Sequence, residues 1–163
     1  MEKLKTIENF LSDGHKILIL AIGSELRTDD AVGMYIADGL LKSEFDKNRI
    51  SVIKGATAPE NFTGEIKKFR PDKMIIIDAA DTDKKPGEID IIDASAVQGA
   101  SFSTHMMPIN IFIDYLLNDF ECDIMIIGIQ PENLEFGLEI TENIKKSADA
   151  VIKTIADSFL KLK

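Results

Sequence analysis

Three places along this chain put side chains capable of metal or proton chemistry in the segments that follow apolar runs. They are the acidic pair Asp29-Asp30, Asp78 behind Met74 to Ile77, and His105 in a loop rich in Ser and Gly. Two carboxylates and an imidazole form an O/O/N donor set that suits Zn, Ni, Mn or Fe and leaves positions open for water or substrate. The only cysteine, Cys122, excludes an intrachain disulfide and a cysteine-based metal cluster. Nucleophilic catalysis has little to work with. No Ser, Cys or Thr is placed with a base, because the second histidine, His15, precedes the first apolar run and belongs to the opposite edge.

Hydrophobic periodicity gives the elements that must position these groups. Leu4, Ile7 and Leu11 predict a short amphipathic helix, and Ile17 to Ile22 a strand buried on both faces. Val32, Tyr35, Ile36 and Leu40 form a helical stripe, and Ile50 to Ile53 a second strand. A helix opens at Pro59 and breaks at Arg70-Pro71. Met74 to Ile77 is a third buried strand that ends in Asp78, and a short strand lies around Ile89 to Ile92 after the Lys85-Pro86-Gly87 turn. Val97 to Thr104 reads as irregular. Pro108 opens a helix through Leu117, Ile124 to Ile129 is the last buried strand, and Ile140 to Leu162 is a long C-terminal helix.

Alternating strands and helices predict an α/β fold in one domain spanning residues 1–163. Its architecture is a three-layer doubly wound sandwich with a mostly parallel sheet of about five strands. The strand near Ile91 follows its predecessor too closely for a helical crossover, so it is expected antiparallel at an edge. In such sheets the functional crevice lies outside the carboxyl ends of the strands, where strand order reverses. If the first and third strands are neighbours, Asp30 and Asp78 face each other there, with His105 from the next loop round and Gln130 after the last strand.

Each candidate has a structural alternative. Asp29 and Asp30 precede a helix, where an aspartate N-cap is common, although one cap needs only one of them. Asp78 could anchor a loop through backbone amides, and His105 could be a capping or core residue. Thr57-Ala58-Pro59-Glu60 reads as a capping box, and Asp81 to Asp83 as a solvated turn. Glu132 and Glu135 read as solvent-facing, and Cys122 as a small hydrophobe.

Composition removes other classes. The chain has 163 residues, 45% hydrophobic and 29% charged, with 19 basic and 28 acidic side chains for a net charge of −9. That surface repels phosphate backbones and anionic membranes. No apolar run is long enough to span a bilayer and the first residues are too charged for a signal peptide, so a cytoplasmic location is expected. A dinucleotide site is rejected, since no glycine lies between Gly23 and Gly33 and the loop there carries Glu25, Asp29 and Asp30. Abundant Ile, with Gln only at Gln98 and Gln130, hints at a thermophilic source.

Four ordered motifs carry a resemblance. They are Ile22 to Gly33 with its acidic pair, Ile76 to Asp81 followed by Lys85 to Ile89, Ser103-Thr104-His105-Met106-Met107-Pro108-Ile109-Asn110, and Gly128-Ile129-Gln130-Pro131. Together they resemble the endopeptidases that mature the large subunit of nickel–iron hydrogenases, closest to the formate-hydrogenlyase and energy-converting subgroup. The resemblance implies a hydrolase that removes a C-terminal extension from the nickel-loaded large-subunit precursor. It implies that Asp30, Asp78 and His105 are both the metal ligands and the catalytic residues, with Asp29, Thr104 and Gln130 as substrate contacts. The nickel would arrive on the substrate, no permanent cofactor is expected, and the protein would act as a monomer. Three positions depart from the family pattern: Ser24 in place of Asn, Ala31 in place of Gly, and Lys54 where many members place an acid. The alternatives are a non-catalytic member that only binds the precursor, and a phospho-receiver module. The latter lacks the lysine it would need where Gln130 stands.

Overall fold

The computed structural model describes residues 1–94, 101–102, 108–137 and 139–162. The elements run α1 (Glu2–Leu11), β1 (Ile17–Ile22), a 3₁₀ turn (Thr28–Ala31), α2 (Val32–Leu41) and β2 (Ile50–Ala56). A second 3₁₀ turn (Pro59–Phe62), α3 (Thr63–Phe69), β3 (Lys73–Asp81) and β4 (Ile89–Asp93) follow. β5 (Ser101–Phe102), α4 (Ile109–Leu117), β6 (Asp123–Ile129) and α5 (Glu142–Lys161) complete the order.

The sheet order is β2-β1-β3-β6-β4. β2, β1, β3 and β6 are mutually parallel, and β4 pairs antiparallel to β6 at the edge, as its short connection requires. The two-residue β5 adds antiparallel to Ala80-Asp81.

Strand alternation divides the core. Ile17, Ile19, Ile75, Ile77 and Ile127 face one way, against α1, α2 and the Ile144, Ala148, Val151, Ile155, Phe159 stripe of α5. Leu18, Leu20, Ile22, Met74, Ile76 and Ile126 face the other way, against α3 and α4. All six β1 residues are buried, which is why that strand reads as a continuous apolar run. Fully burying each such side chain contributes roughly 1.5–3 kcal/mol. Among the described residues no helix is long and apolar enough to cross a membrane.

Several expectations need correction. β2 runs on to Ala56, and β3 does not stop at Asp78 but continues to Asp81. The extension is held by partners invisible in a local window: β6 pairs as far as Ala79, and β5 takes Ala80 and Asp81. The Pro59 helix begins as a 3₁₀ turn, and no side chain caps it, so the Thr57 capping box does not form. Within Val97 to Thr104, expected to be irregular, residues 101–102 are strand and the remainder lies outside the described residues.

Candidate active site

From β1 the chain winds outward to β2, then returns across β1 to β3, so strand order reverses between β1 and β3. These two strands pair directly, Ile17 with Lys73 through Ala21 with Ile77, which brings Ile22-Gly23 alongside the Ile77-Asp78 end. The reversal point, where a doubly wound sheet is expected to carry its functional site, therefore lies between these two strand ends.

Two glycines allow the chain to crowd this point. At Gly33 a Cβ would sit 2.3 Å from the Ile22 carbonyl oxygen and 2.9 Å from that of Ile77, so the first turn of α2 rests on both strand ends. Gly23 has φ +136°, a conformation that L side chains rarely adopt, and a Cβ there would lie 1.9 Å from the Asp30 carbonyl oxygen. The same position is 3.8 Å from Asp78 Oδ1. Gly23 is thus where the Asp30 backbone and the Asp78 carboxylate converge.

Both carboxylates are fully buried. Asp30 Oδ2 accepts a hydrogen bond from the Ser24 amide at 2.9 Å, which folds the loop after β1 back over its own strand end. Asp78 stands within β3 opposite Gly128 of β6. Carboxylates held this deep are costly without compensating interactions, so their placement is a strong constraint on the fold. His105 and Thr104 lie outside the described residues, and among the described residues no three His, Cys, Asp or Glu side chains gather into a metal-ligand group.

Asp29 has a different environment from its neighbour. Its carboxylate accepts the amides of Glu132 (2.9 Å), Asn133 (2.8 Å) and Thr141 (2.7 Å), together with the Thr141 hydroxyl at 3.1 Å. Its own amide donates to the Asn133 carbonyl at 3.0 Å. The side chain is a buried clamp between the loop after β1 and the loop after β6. Thr28 reinforces it by donating to the Glu135 carbonyl at 2.6 Å, and Arg27 Nε donates to the Leu134 carbonyl at 3.2 Å. Neither acid caps α2: both lie inside the 3₁₀ turn, and the helix starts at Val32 with no side-chain cap. The N-cap alternative is therefore set aside.

Gln130 is likewise turned toward the protein. Its Oε1 accepts the Thr82 amide at 2.8 Å and the Lys84 amide at 3.3 Å, while Nε2 donates to Asp81 Oδ1 at 3.2 Å. The turn after Asp81 is solvated as expected, with Asp83 and Lys84 exposed, and Gln130 pins its base. Glu132 and Glu135 are exposed, as expected, although the Glu132 amide serves the Asp29 clamp. Sequence reasoning missed the role of Thr141 and of the 132–133 backbone, since amides carry no sequence signal.

The three departures are accommodated. Ala31 has φ −74°, a backbone that does not require glycine. Ser24 Oγ accepts the Leu26 amide at 3.3 Å. Lys54 is salt-bridged to Asp38 at 2.9 Å and to Glu25 at 3.1 Å, and the hydrogen bond to Asp38, more than that to Glu25, raises its pKa above the ordinary lysine value.

Comparison with known proteins places this geometry. Residues 34–158 match the family model of the hydrogenase maturation protease HycI. The chain belongs to the hydrogenase maturation protease family. It is similar to a Methanocaldococcus jannaschii protein whose name places it among hydrogenase maturation proteases, with 36% identity over 159 residues and 94% of each chain covered. It is 33% identical over 139 residues to the hydrogenase 3 maturation protease of Escherichia coli, covering 85% of this chain and 87% of that one. The crystal structure of the [NiFe] hydrogenase maturation protease HycI from Thermococcus kodakarensis superposes with a TM-score of 0.88 at 30% identity, covering 95% and 99% of the two chains. As a member of this family the protein is a peptidase, and its mostly parallel sheet with one antiparallel edge strand is the fold of those structures. Family membership also removes the phospho-receiver alternative.

Proposed function

We propose that this maturation protease is the cytoplasmic endopeptidase that removes the C-terminal extension of a nickel–iron hydrogenase large-subunit precursor after nickel insertion. The hydrogenase is of the formate-hydrogenlyase or energy-converting type, and the protease works as a monomer with no resident cofactor. The observation that supports this most is the convergence of two fully buried aspartates, Asp30 and Asp78, on Gly23 at the reversal point of the sheet.

In this reading the nickel is part of the substrate. Two carboxylate oxygens and the His105 imidazole are a donor set that suits a borderline divalent ion, and a divalent ion held there supplies Lewis-acid polarisation of the scissile carbonyl. Asp30 and Asp78 hold the nickel-bearing end of the precursor, and His105, which precedes α4 in the sequence, completes the set. A precursor without nickel gives these carboxylates no cation to engage, so cleavage waits for metal insertion. Thr104 touches the bound tail directly. Asp29 and Gln130 act on substrate through the loops they hold.

The test uses precursor large subunits prepared with and without nickel and followed by intact mass after addition of the protein. Loss of a C-terminal peptide from the nickel-loaded form alone is the expected result. Equal cleavage of both forms would remove the nickel-reading role, and cleavage of neither would remove the endopeptidase assignment.

A further inference from the structure

Beside the Asp30 turn runs an open groove of about 410 Å³ between α2 and the start of α5. That volume falls in the range of real ligand clefts. Its floor is apolar, made by Ala31, Met34 and Ile140, and its walls carry Glu25, Asp38, Glu139 and Glu142 against a single lining ammonium, Lys145. Lys54 lies behind Glu25 and Asp38 and bonds both, yet Asp149 adds a further carboxylate where it accepts the Tyr35 hydroxyl at 2.8 Å. The groove keeps an excess of negative charge. Tyr35 registers that field: the hydrogen bond to Asp149 first, then burial, then the charges of Asp149 and Glu142, raise its pKa above the ordinary phenol value.

Two further features suit this groove to docking. Thr28 and Ala31, which line it, belong to the same 3₁₀ turn as Asp30, so a chain lying in the groove rests against the turn that carries that residue. The loop that bears Glu139 and Ile140 is also held by the buried Asp29 clamp, which reduces the ordering cost of binding.

We propose that this groove docks a lysine- or arginine-bearing segment of the precursor, its aliphatic stems on Met34 and Ile140 and its cationic heads among Glu25, Asp38, Glu139 and Glu142. An apolar floor under acidic walls matches the two halves of a long basic side chain. The proposal rests on the precursor being the substrate, and it adds where on the protease the precursor is held.

The experiment compares wild type, Glu139→Lys with Glu142→Lys, and Glu139→Gln with Glu142→Gln. Glu121→Lys, at the opposite edge of the sheet, serves as control. Cleavage of the nickel-loaded precursor gives KM and kcat, biolayer interferometry gives Kd without cleavage, and thermal melts confirm folding. The charge-reversed pair should raise KM and Kd by on the order of tenfold, with kcat held within about twofold. The neutral pair should raise both less, and the control should leave both unchanged. Added salt should weaken wild-type binding and flatten the difference between variants. Unchanged KM and Kd in folded variants, or a loss confined to kcat, would overturn the docking site while leaving the protease assignment intact. Tight wild-type binding without cleavage would overturn the protease assignment instead, with Kd still deciding the groove. Neither binding nor cleavage by wild type would overturn both.

Discussion

The two edges of the sheet use the same device at different depths. At the amino edge the Asp72 carboxylate accepts the amides of His15 (2.9 Å) and Lys16 (2.6 Å), and its main chain bonds to Lys16 and Asp123, tying together the starts of β1, β3 and β6. At the carboxyl edge Asp29 accepts three amides and a hydroxyl, tying the loops after β1 and β6. Asp72 is half-buried, whereas Asp29 is fully buried. Water can replace a lost partner at the first site and not at the second, so equal chemistry carries unequal weight. The edge with the deeper clamp is also the edge that holds Asp30 and Asp78. The deeper clamp thus lies at the edge that carries the proposed site.

The largest effect on activity is expected beside that deep clamp. Asp30→Ala, Asp78→Ala and His105→Ala, made separately, should each lower cleavage of nickel-loaded precursor by at least about a hundredfold with the fold retained, which is a typical cost of removing a positioned catalytic group. Retained cleavage in the His105 variant, read by intact mass, would break the trio.

Asp29→Ala should cost about 3 kcal/mol or more in urea unfolding, because it strands three amides in the protein interior. It should also lower kcat through the displaced Asp30 turn. A loss of stability with normal kcat would show that the two adjacent aspartates are independent.

Asp72→Ala sharpens the contrast from the other edge. Its expected cost is about 1 kcal/mol in the same unfolding experiment, with cleavage unchanged. A cost equal to that of Asp29→Ala would refute the depth argument.

The smallest effect concerns the surface tie between α1 and α5. Hydrogen bonds from Lys161 and then Lys5 hold the half-buried Glu8 carboxyl down at about 2, against an ordinary 4.5. A depressed folded-state pKa means a contribution present above pH 4.5 and lost as the pH falls toward 2. Thermal melts across that window should show a slightly shallower decline for Glu8→Gln than for wild type, and the exposure of both lysines keeps the difference small. Identical profiles would show that the tie contributes nothing.

Much of this was legible in the residues. Unbroken apolar runs marked β1, β3 and β6 because strands buried on both faces have no polar side, and the helical repeat of α5 reappears as its buried stripe Ile144, Ala148, Val151, Ile155 and Phe159, although Ile140 and Leu162, the expected helix ends, lie just outside it. The position of Asp78 was legible as a rim residue, but its place inside β3 was not, since a carboxylate reads locally as the end of a strand. Local propensity could not tell Asp29 from Asp30, because adjacent identical side chains carry identical propensity, and only the resemblance gave them different roles. Gln130 was legible as a polar residue after the last strand, but its partners Thr82 and Lys84 were not, since they are set by the turn between β3 and β4.

By itself the sequence determined the alternating layers, the edge strand and the acids of the carboxyl edge, because periodicity and short connections are local properties. Only the tertiary structure decided that β1 and β3 are neighbours and that Gly23 lies between the Asp30 backbone and the Asp78 carboxylate. It also decided that Asp29 faces a loop from the far end of the chain. Those choices depend on strand pairing and on backbone amides, which every residue but proline offers alike.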